Sequence, residues 1–373
     1  MTAPARVVLV GAGHAHLHVA ARTRELTALG ATVTLVDPGT FWYSGRATAV
    51  LGGRCAPAAD CLDPDAIVTA AGGHYVADRV IAIDRDARQL QLAGGGTLEY
   101  DWLSLNVGSE VDSKLIARDD GDMTTFPVKP IANLWRLSQA VETRLNNGET
   151  PRIVVVGGGP TGCEVAINLA ALVRHHGGRA ELCLVQRQTR VAPSLPPGAG
   201  RRLHAQLERR GVRVVTASGV TEHTAGALML DDGRRLPADI VVLATGLAAP
   251  AWLDELDLPA DDGLCVDATL RSIADPRIFA AGDCARVVGH TLPRLGVFGV
   301  RQAPVLLANL AATLENRPLQ HYEPQSRWLS ILDLGDGTGL ATRGRRWWHG
   351  RASHWLKTRL DRRFLASYRA CQR

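Results

Sequence analysis

The sequence predicts an α/β fold in which a second doubly wound unit is inserted into a first, followed by a short C-terminal region with a basic amphipathic helix. A β-branched run that leads through a glycine-rich turn into a helical pattern occurs twice, beginning at Arg6–Val10 and at Arg152–Val156. Each helical pattern is followed by another strand, which ends at Asp37 in the first copy and at Gln186 in the second. Strand–turn–helix–strand units of this kind form parallel sheets with helices on their faces.

The similarity between the two copies extends further along the chain. In both copies a hairpin with a glycine turn, beginning at Leu92 and at Leu230, precedes an apolar run that ends at a glycine. These glycines are Gly108 and Gly246, where the backbone can pass close to a ligand. The shared order indicates one duplicated, three-layer ββα domain.

The composition describes a globular chain whose charge is unevenly distributed. Of the 373 residues, 46% are hydrophobic and 21% are charged, and the net charge is +5. Ten Lys and Arg residues lie within residues 343–373, which leaves a mildly acidic body and argues against a nucleic-acid-binding protein. No uncharged apolar run reaches about 18 residues, which argues against a transmembrane helix. Seven scattered Cys favour reduced thiols and a cytoplasmic location.

The first glycine turn predicts a dinucleotide site of the Rossmann type. Gly11, Gly13 and His14 lie between a strand and a helix, where a pyrophosphate approaches the backbone and the helix N-terminus. Asp37 ends the next strand and can accept hydrogen bonds from a ribose diol. His16 replaces the third glycine of the motif, so either its side chain fits between helix and strand or the helix lies further out.

The second turn keeps all three glycines, which are Gly157, Gly159 and Gly162. Gln186 stands where the ribose-binding acid is expected, and Arg187 and Arg190 follow it. Loss of the acid and gain of arginine favour a 2′-phosphate and hence NADPH over NADH. The alternative is that the two arginines form an ordinary solvated patch.

Two dinucleotide units in one chain, with Ala280–Asp283 near the C-terminal end, resemble the FAD-dependent pyridine nucleotide–disulfide oxidoreductase superfamily. Within it, the chain resembles the type II NADH dehydrogenase-like flavoprotein branch, which also occurs fused ahead of selenide, water dikinase. The segments that carry this resemblance are Gly13–His18, Trp42–Gly45, Cys61–Asp63, Phe126–Pro130 and the final Trp- and Arg-containing helix. Where the branch continues with Met-Leu-Pro-Gly, this chain has Arg46–Ala49, which leaves its acceptor preference open.

The resemblance implies an enzyme, an FAD-dependent NAD(P)H:acceptor oxidoreductase, with FAD and NAD(P)H as its cofactors. Gly11, Gly13 and His14 would lie at the FAD pyrophosphate and Asp37 at the adenosine ribose. The other implied FAD contacts are Val80 in the hairpin near the adenine, Asp283 at the ribityl or pyrophosphate end, Val297 and Phe298 at the pyrimidine edge of the flavin, and Gly108 and Gly282.

The same resemblance implies a domain division. Residues 1–128 and 247–325 would form a discontinuous FAD-binding domain, and residues 129–246 the NAD(P)-binding domain. In the latter, the contacts with the nicotinamide dinucleotide would come from Gly157, Gly159, Gly162 and Arg187. Residues 326–373 would form a strand pair and the basic helix.

The basic helix leaves three interpretations open, which are packing on protein, contact with a membrane and, third, nucleic-acid binding. Trp348, Leu356 and Phe364 belong to a set of bulky residues that recurs every four positions, which is typical of one helix face. This face would pack on the body or on a sister subunit in a homodimer. It could also lie in the headgroup region of a membrane, with the arginines in water.

The predicted function is hydride transfer from NAD(P)H to FAD and electron transfer to a quinone-like or other small acceptor. Lys129, between two prolines, is the candidate catalytic residue, and an exposed linker lysine is its alternative. Cys55 and Cys61 suggest a second hypothesis, a flavoenzyme that acts on a sulfur, selenium or biosynthetic substrate. A non-catalytic flavin sensor or scaffold is the third. No metal site is predicted, because His14, His16 and His18 lack further ligands at suitable spacing.

Overall fold

The structure is a computed structural model that describes residues 3–111, 123–224 and 226–372. Its helices, numbered in chain order, are α1 His14–Ala20, α2 Thr23–Thr27, α3 Ala47–Leu51, α4 Pro64–Ala70, α5 Ala132–Asn146, α6 Pro160–His175, α7 Pro197–Glu208, α8 Gly296–Leu314 and α9 Arg351–Arg369. The strands of the first half are β1 Ala5–Val10, β2 Ala31–Val36, β3 Phe41–Trp42, β4 Cys61–Leu62, β5 His74–Val76, β6 Val80–Asp84, β7 Gln89–Leu92, β8 Thr97–Glu99, β9 Trp102–Leu105, β10 Glu110–Val111, β11 Thr124–Pro127, β12 Arg152–Val156 and β13 Glu181–Val185. The strands of the second half are β14 Val212–Val215, β15 Val220–Thr224, β16 Ala227–Leu230, β17 Arg235–Pro237, β18 Ile240–Leu243, β19 Leu247–Ala248, β20 Leu264–Val266, β21 Ile278–Ala280, β22 Ala285–Val287, β23 Leu329–Asp333, β24 Gly339–Arg343 and β25 Arg346–Gly350.

Two parallel sheets with matching strand orders form the centre of the fold, as predicted. The strand order is β21-β9-β1-β2-β5 in the first sheet and β11-β18-β12-β13-β14 in the second. Antiparallel hairpins, β6-β7-β8 and β15-β16-β17, supply the third layer of each unit. The edge strand β21 enters the first sheet only after the second sheet is complete, so the first unit uses two separate parts of the chain. The domain boundaries at 128/129 and 246/247 stay predictions, and β11 of the second sheet lies just before the first of them.

The duplication also reaches the side chains at the start of each sheet. The backbone N–H of Arg6 donates to Asp101 Oδ2 at 2.8 Å, and that of Arg152 donates to Asp239 Oδ2 at 2.7 Å. The guanidinium of each arginine pairs with the same carboxylate. In both pairs the arginine lowers the pKa of the aspartate. Each pair ties the first strand of its unit to the turn before the central apolar strand.

The first helix is shorter than the pattern predicts. The helical pattern in the sequence continues from the first glycine turn to about Leu29, but α1 ends at Ala20 and α2 begins at Thr23. The buried hydroxyl of Thr23 donates to the Ala20 carbonyl at 2.9 Å. A side chain that takes up a backbone carbonyl in this way competes with the helical hydrogen bond and interrupts the helix.

The C-terminal region also differs from its prediction. It contains three antiparallel strands, β23-β24-β25, rather than a pair, and Trp347 and Trp348 lie in β25. The helix α9 begins only after Gly350, whose φ of 141° is a conformation that favours glycine. The prediction that Trp348 belongs to the helical stripe is therefore wrong. Tryptophan fits a half-buried strand at least as well as a helix.

The C-terminal region packs on both units. Among the described residues, two clusters of buried apolar side chains are centred one on each parallel sheet. Leu332 and Leu340 of the terminal sheet belong to the cluster of the second unit, whereas Leu365 and Tyr368 of α9 belong to that of the first. This region therefore connects the two units.

By length and composition, α8 is the helix in the described residues that could cross a membrane. Half of it is buried, and it packs along α1 in the core of the first unit. Such burial is typical of a core helix.

Candidate functional site

A cavity of about 560 Å³ lies between the two glycine turns. Gly13 and His14 line it from the first unit, and Gly159 and Thr161 line it from the second. Its wall also includes Phe41, Trp42, Gly45, Thr48, Asn106, Gly108, Lys129, Glu164, Gly282, Asp283, Gly296, Gly299, Ile331, Leu332 and Lys357. The structure thus brings part of each predicted nucleotide site to one cavity. The predicted residues Gly11, Asp37, Gly157, Gly162 and Arg187 are not in its lining.

The first turn depends on Asn106, which sequence reasoning missed. A Cβ on Gly11 would lie 2.7 Å from the Asn106 carbonyl oxygen, and a Cβ on Gly13 would lie 2.3 Å from its Oδ1. Asn106 Oδ1 accepts hydrogen bonds from the N–H groups of Ala15 and His16, at 3.0 and 3.2 Å. Two N–H groups of the first helical turn are therefore already paired. The position of Asn106, a polar residue directly after the apolar strand β9, could have indicated this role.

The side chain of His16 fits in place of the third glycine. Its Nδ1 lies 2.6 Å from the Gly11 carbonyl oxygen and its Nε2 lies 2.8 Å from Ser104 Oγ. Burial lowers the pKa of His16 to about 4, so the ring is neutral near pH 7. In the second unit a Cβ on Gly162 would lie 1.8 Å from the Gly157 carbonyl oxygen, so glycine is required there. The contact between helix and strand is therefore made by a buried His16 side chain in the first turn and by a glycine, Gly162, in the second.

Asp37 holds the backbone at the end of β2. Its carboxylate accepts from the N–H of Ala12 at 2.7 Å and from the N–H of Gly39 at 2.9 Å. Burial raises the pKa of Asp37, while these bonds and nearby Arg79 oppose the rise. A carboxylate has further acceptor positions, so the predicted ribose contact is compatible with this geometry. Val80 is buried at the start of β6 and lies outside the cavity lining.

Lys129 and Asp283 form an ion pair at the cavity wall. Lys129 Nζ lies 2.8 Å from Asp283 Oδ2 and 2.9 Å from Ser109 Oγ, and this hydroxyl also donates to Asp283 at 2.7 Å. Burial alone would raise the pKa of Asp283, but Lys129, with help from Ser109 and His14, holds the pKa below its usual range. Lys129 is therefore not an exposed linker lysine.

The start of α8 forms another part of the wall. Gly296 and Gly299 line the cavity next to the His14 ring. Burial lowers the pKa of His14 to about 4. The N–H of Phe298 donates to the Leu295 carbonyl at 2.9 Å. Of the two N–H groups predicted to face a flavin, those of Val297 and Phe298, the latter already has an acceptor in the turn.

The two arginines of the second unit have different environments. Arg190 donates to the carbonyls of Pro193 and Leu195, at 2.5 and 3.3 Å, and so holds its own loop. Arg187 is exposed. A Cβ on Gly159 would meet no atom within 4 Å, so this glycine faces open space. Arg187 alone of this pair is left to meet a 2′-phosphate.

Glu164 is a second group that sequence reasoning missed. It lies on α6, five positions beyond Gly159, and its Oε1 accepts from Thr48 Oγ1 at 3.0 Å and from the N–H of Asp333 at 2.8 Å. Burial raises the pKa of Glu164 to about 7, although Lys357 opposes the rise. A carboxyl group that titrates near neutral pH therefore lies at the cavity wall.

Cys55 and Cys61, on which the alternative thiol hypothesis rests, do not line the cavity. The Cys55 sulfur lies 2.8 Å from Arg46 Nη2. Burial raises the pKa of Cys61 to about 11 and also raises that of Cys55. Both are free thiols and are protonated at neutral pH. Within the described residues there is no group of three or more His, Cys, Asp and Glu side chains that could hold a metal ion.

Comparison with known proteins places these features in context. The family described as "Pyridine nucleotide-disulphide oxidoreductase" matches residues 5–303. The type II NADH:quinone oxidoreductase of Haemophilus influenzae is 29% identical over 205 residues, which are 51% of this chain and 46% of that protein. The chain thus matches about half the length of this relative. An NADH dehydrogenase-like protein of Mycobacterium tuberculosis, Rv1812c, is 31% identical over 364 residues, 91% of this chain and 88% of the relative. The solved structure of NDH2 from Plasmodium falciparum in complex with NADH has a TM-score of 0.80 at 14% identity, covering 98% of this chain and 97% of the other, which shows the likeness of fold.

Proposed function

Because the chain belongs to the pyridine nucleotide-disulphide oxidoreductase family, we propose that it takes hydride from NAD(P)H and passes the electrons to a quinone-like small acceptor, with FAD as its cofactor. The observation that carries this proposal is that both glycine turns line one cavity. Two nucleotides held by these turns would meet in the same space.

The residues of the first unit fit FAD. Gly13, Gly108, Gly282 and Gly296 give the cavity a wall without side chains, along which a flat ring and a pyrophosphate can lie against the backbone. Gly108 and Gly282 have φ values of 77° and 75°, which favour glycine. When bound, FAD supplies a ring that accepts hydride from a nicotinamide and gives its electrons to a further acceptor.

Charged residues of the chain would orient the reactants. Lys129 is held by Asp283 and Ser109 and places a fixed positive charge at the wall, where negative charge on a phosphate or a reduced ring is stabilised. Glu164 can hold or release a proton near neutral pH. We keep Lys129 as the candidate catalytic residue and add Glu164 as a candidate proton carrier.

The apolar part of the wall supports a quinone-like acceptor. Phe41, Trp42, Ile331 and Leu332 offer aromatic and branched surfaces to a planar ring. The thiol hypothesis has no such support, because Cys55 lies outside the cavity. A ferredoxin-type protein acceptor remains the alternative for the same electrons, as one similar protein is described as a probable ferredoxin reductase.

We also propose that the C-terminal region touches a membrane surface. Trp347, Trp348, Trp355 and Leu360 are between 39% and 62% exposed, and arginines surround them. Exposed tryptophan among cations is typical of a segment that lies in the headgroup layer, and here it belongs to β25 and to α9. Sedimentation of the full chain with anionic, but not neutral, vesicles is expected, and Trp355→Ser with Leu360→Ser should weaken it.

Anaerobic titration of the purified holoprotein tests the proposed activity. NADPH or NADH should bleach the oxidised flavin absorbance, and an added naphthoquinone should restore it. A flavin that neither nucleotide reduces would refute the activity. If Arg187 binds the 2′-phosphate, Arg187→Ala should weaken the binding of NADPH more than the binding of NADH.

A further inference from the structure

The turn at residues 57–60, directly before β4, holds a buried carboxyl group without a hydrogen-bond partner. Asp60 is 0% exposed, and neither of its side-chain oxygens has a hydrogen-bond partner among the described residues. Its backbone is fixed, since its carbonyl accepts from the N–H of Tyr43 at 3.1 Å. Asp60 lies outside the lining of the cavity. A buried carboxyl group without a partner is costly to ionise, so its protonation state affects the stability of whatever packs on it.

The C-terminal half of α9, residues 361–369, packs against this turn. Arg369 donates to the carbonyl of Ala59 at 2.7 Å. Leu365 and Tyr368 are 1% and 8% exposed and belong to the apolar cluster of the first unit. The helix therefore forms part of the cover that keeps water from Asp60.

The cations near Asp60 are directed at other acceptors. Arg46, at the start of α3, donates to the Ala59 carbonyl at 3.1 Å and to the Cys55 sulfur at 2.8 Å. The charge of Arg46 and that of Arg369 favour ionisation of Asp60, but neither side chain forms a hydrogen bond with it. The charge of an ionised Asp60 would thus be only partly compensated.

A second carboxylate faces Asp60 from α9. Asp361 accepts from Lys357 Nζ at 2.9 Å and from the hydroxyl of Tyr43 at 3.0 Å, so its own charge is compensated. Burial raises the pKa of Asp60 to about 8, and the charge of Asp361 adds to the rise, although the cations oppose it. The titratable and charged side chains that face Asp60 are Tyr43, Arg46, Cys55 and Cys61 from the first unit and Lys357, Asp361 and Arg369 from α9.

We propose that Asp60 is a pH-sensitive latch between the turn at residues 57–60 and the C-terminal half of α9. With its proton, the carboxyl group is neutral and stays buried under the helix. Without it, two carboxylates face each other and the second has no donor, so the helix opens and water reaches Asp60. The proton passes to solvent. This inference goes beyond the proposed function, because it concerns the attachment of α9 and not the transfer of hydride.

Opening would also affect the first glycine turn. Phe364 of α9 stacks on Tyr43, with ring centroids 4.6 Å apart, and its ring centroid lies 5.5 Å from that of His14. His14 follows Gly13 in the turn that is predicted to hold FAD. Movement of α9 removes this aromatic cover, so the latch couples pH to the retention of FAD.

The direction of the pH effect follows from the two states of Asp60. Its pKa is about 8 in the closed form, whereas the carboxyl group has its ordinary value of 3.8 once water reaches it. Between these values the open form has lost the proton and the closed form keeps it. The equilibrium constant for opening should therefore rise by up to about tenfold per pH unit between these values and level off above pH 8.

Hydrogen–deuterium exchange of the holoprotein between pH 5 and 9 measures the opening. Wild type is compared at each pH with Asp60→Asn, which keeps the shape of the side chain but cannot ionise, so the pH dependence of intrinsic exchange cancels in the ratio. Glu164, which also titrates near pH 7, is present in both proteins and cancels as well. Asp65→Asn is the matched control, because Asp65 is an exposed carboxylate on the neighbouring helix α4.

We expect the ratio of wild-type to Asp60→Asn exchange rates for amides 361–369 to increase at least about tenfold between pH 5.5 and 7.5 and to level off above pH 8. Asp65→Asn should behave as wild type. Release of flavin, followed by its fluorescence, should accelerate with pH more in wild type than in Asp60→Asn.

A ratio that stays constant between pH 5 and 8 would overturn the proposal. If Asp60→Asn fails to fold, Asp60→Ala leaves no polar group to bury and takes its place, and a constant ratio with that variant would count equally against the latch. The same pH dependence of flavin release in wild type and variant would overturn the coupling to the glycine turn.

Discussion

Replacement of Lys129 by methionine should destabilise the fold by leaving Asp283 charged and poorly paired at the cavity wall. The pair is short, 2.8 Å, and the two side chains are only 22% and 11% exposed. Removal of one partner of a fully buried pair costs about 3–5 kcal/mol. Ser109 still donates to Asp283, and the cavity admits water, so we expect about 2 kcal/mol at pH 7.

The loss of stability in Lys129→Met should depend on pH. In the wild type Lys129 depresses the pKa of Asp283, so its stabilising contribution is present above the unfolded value of 3.8 and is lost as the pH falls through the folded value. In Lys129→Met, burial acts without Lys129 and the pKa should rise above 3.8. The folded variant then takes up a proton more readily than its unfolded chain. The difference in stability between wild type and variant should therefore be largest at neutral pH and shrink as the pH falls towards 4.

Thermal unfolding of the holoprotein, followed by circular dichroism and by flavin release, measures this difference between pH 4 and 8. Ser109→Ala is the matched control, because it removes a neutral partner of the same carboxylate and should cost about 1 kcal/mol. Asp283→Asn in the Lys129→Met background should recover part of the loss, since no buried charge then remains. A loss of stability that is equal at pH 4 and pH 7 would refute the electrostatic reasoning.

Three further predictions concern the cavity and the thiols. Because burial raises the pKa of Glu164 to about 7, its contribution to the stability of the fold should decline as the pH rises from 4.5 to 7, and Glu164→Gln should abolish this decline. The same variant should flatten the pH profile of quinone reduction. Unfolding and rate profiles equal to those of the wild type would contradict this. Gly162→Ala should raise the Kd for NAD(P)H at least tenfold while FAD stays bound, because its Cβ would lie 1.8 Å from the Gly157 carbonyl oxygen; equilibrium binding to the oxidised protein measures it. Cys55→Ser with Cys61→Ser should keep full turnover with NAD(P)H and quinone in steady-state assays, and a large loss of kcat would revive the thiol hypothesis.

The sequence was sufficient for the parts of the fold that repeat. Apolar strands, glycine turns and Asp101 with Asp239 recur in order, and each is a local pattern that two copies confirm in the structure. The pairing of His16 with Gly11 and Ser104 could not be derived, because it depends on the distance between a helix and two strands that are far apart in sequence.

The face of α9 that lines the cavity could not be predicted from the apolar pattern of the sequence. A helical stripe is recognised by apolar residues that recur every three or four positions, but Ser353, Lys357 and Asp361 form much of the face of α9 that packs inward. Trp355 and Leu360, which an apolar pattern would bury, are exposed instead. Lys357 and Asp361 can lie inside because the Gly45 carbonyl and the Tyr43 hydroxyl, from the other end of the chain, form hydrogen bonds with them. The same helix therefore presents Trp355 and Leu360 outward and Lys357 to the cavity.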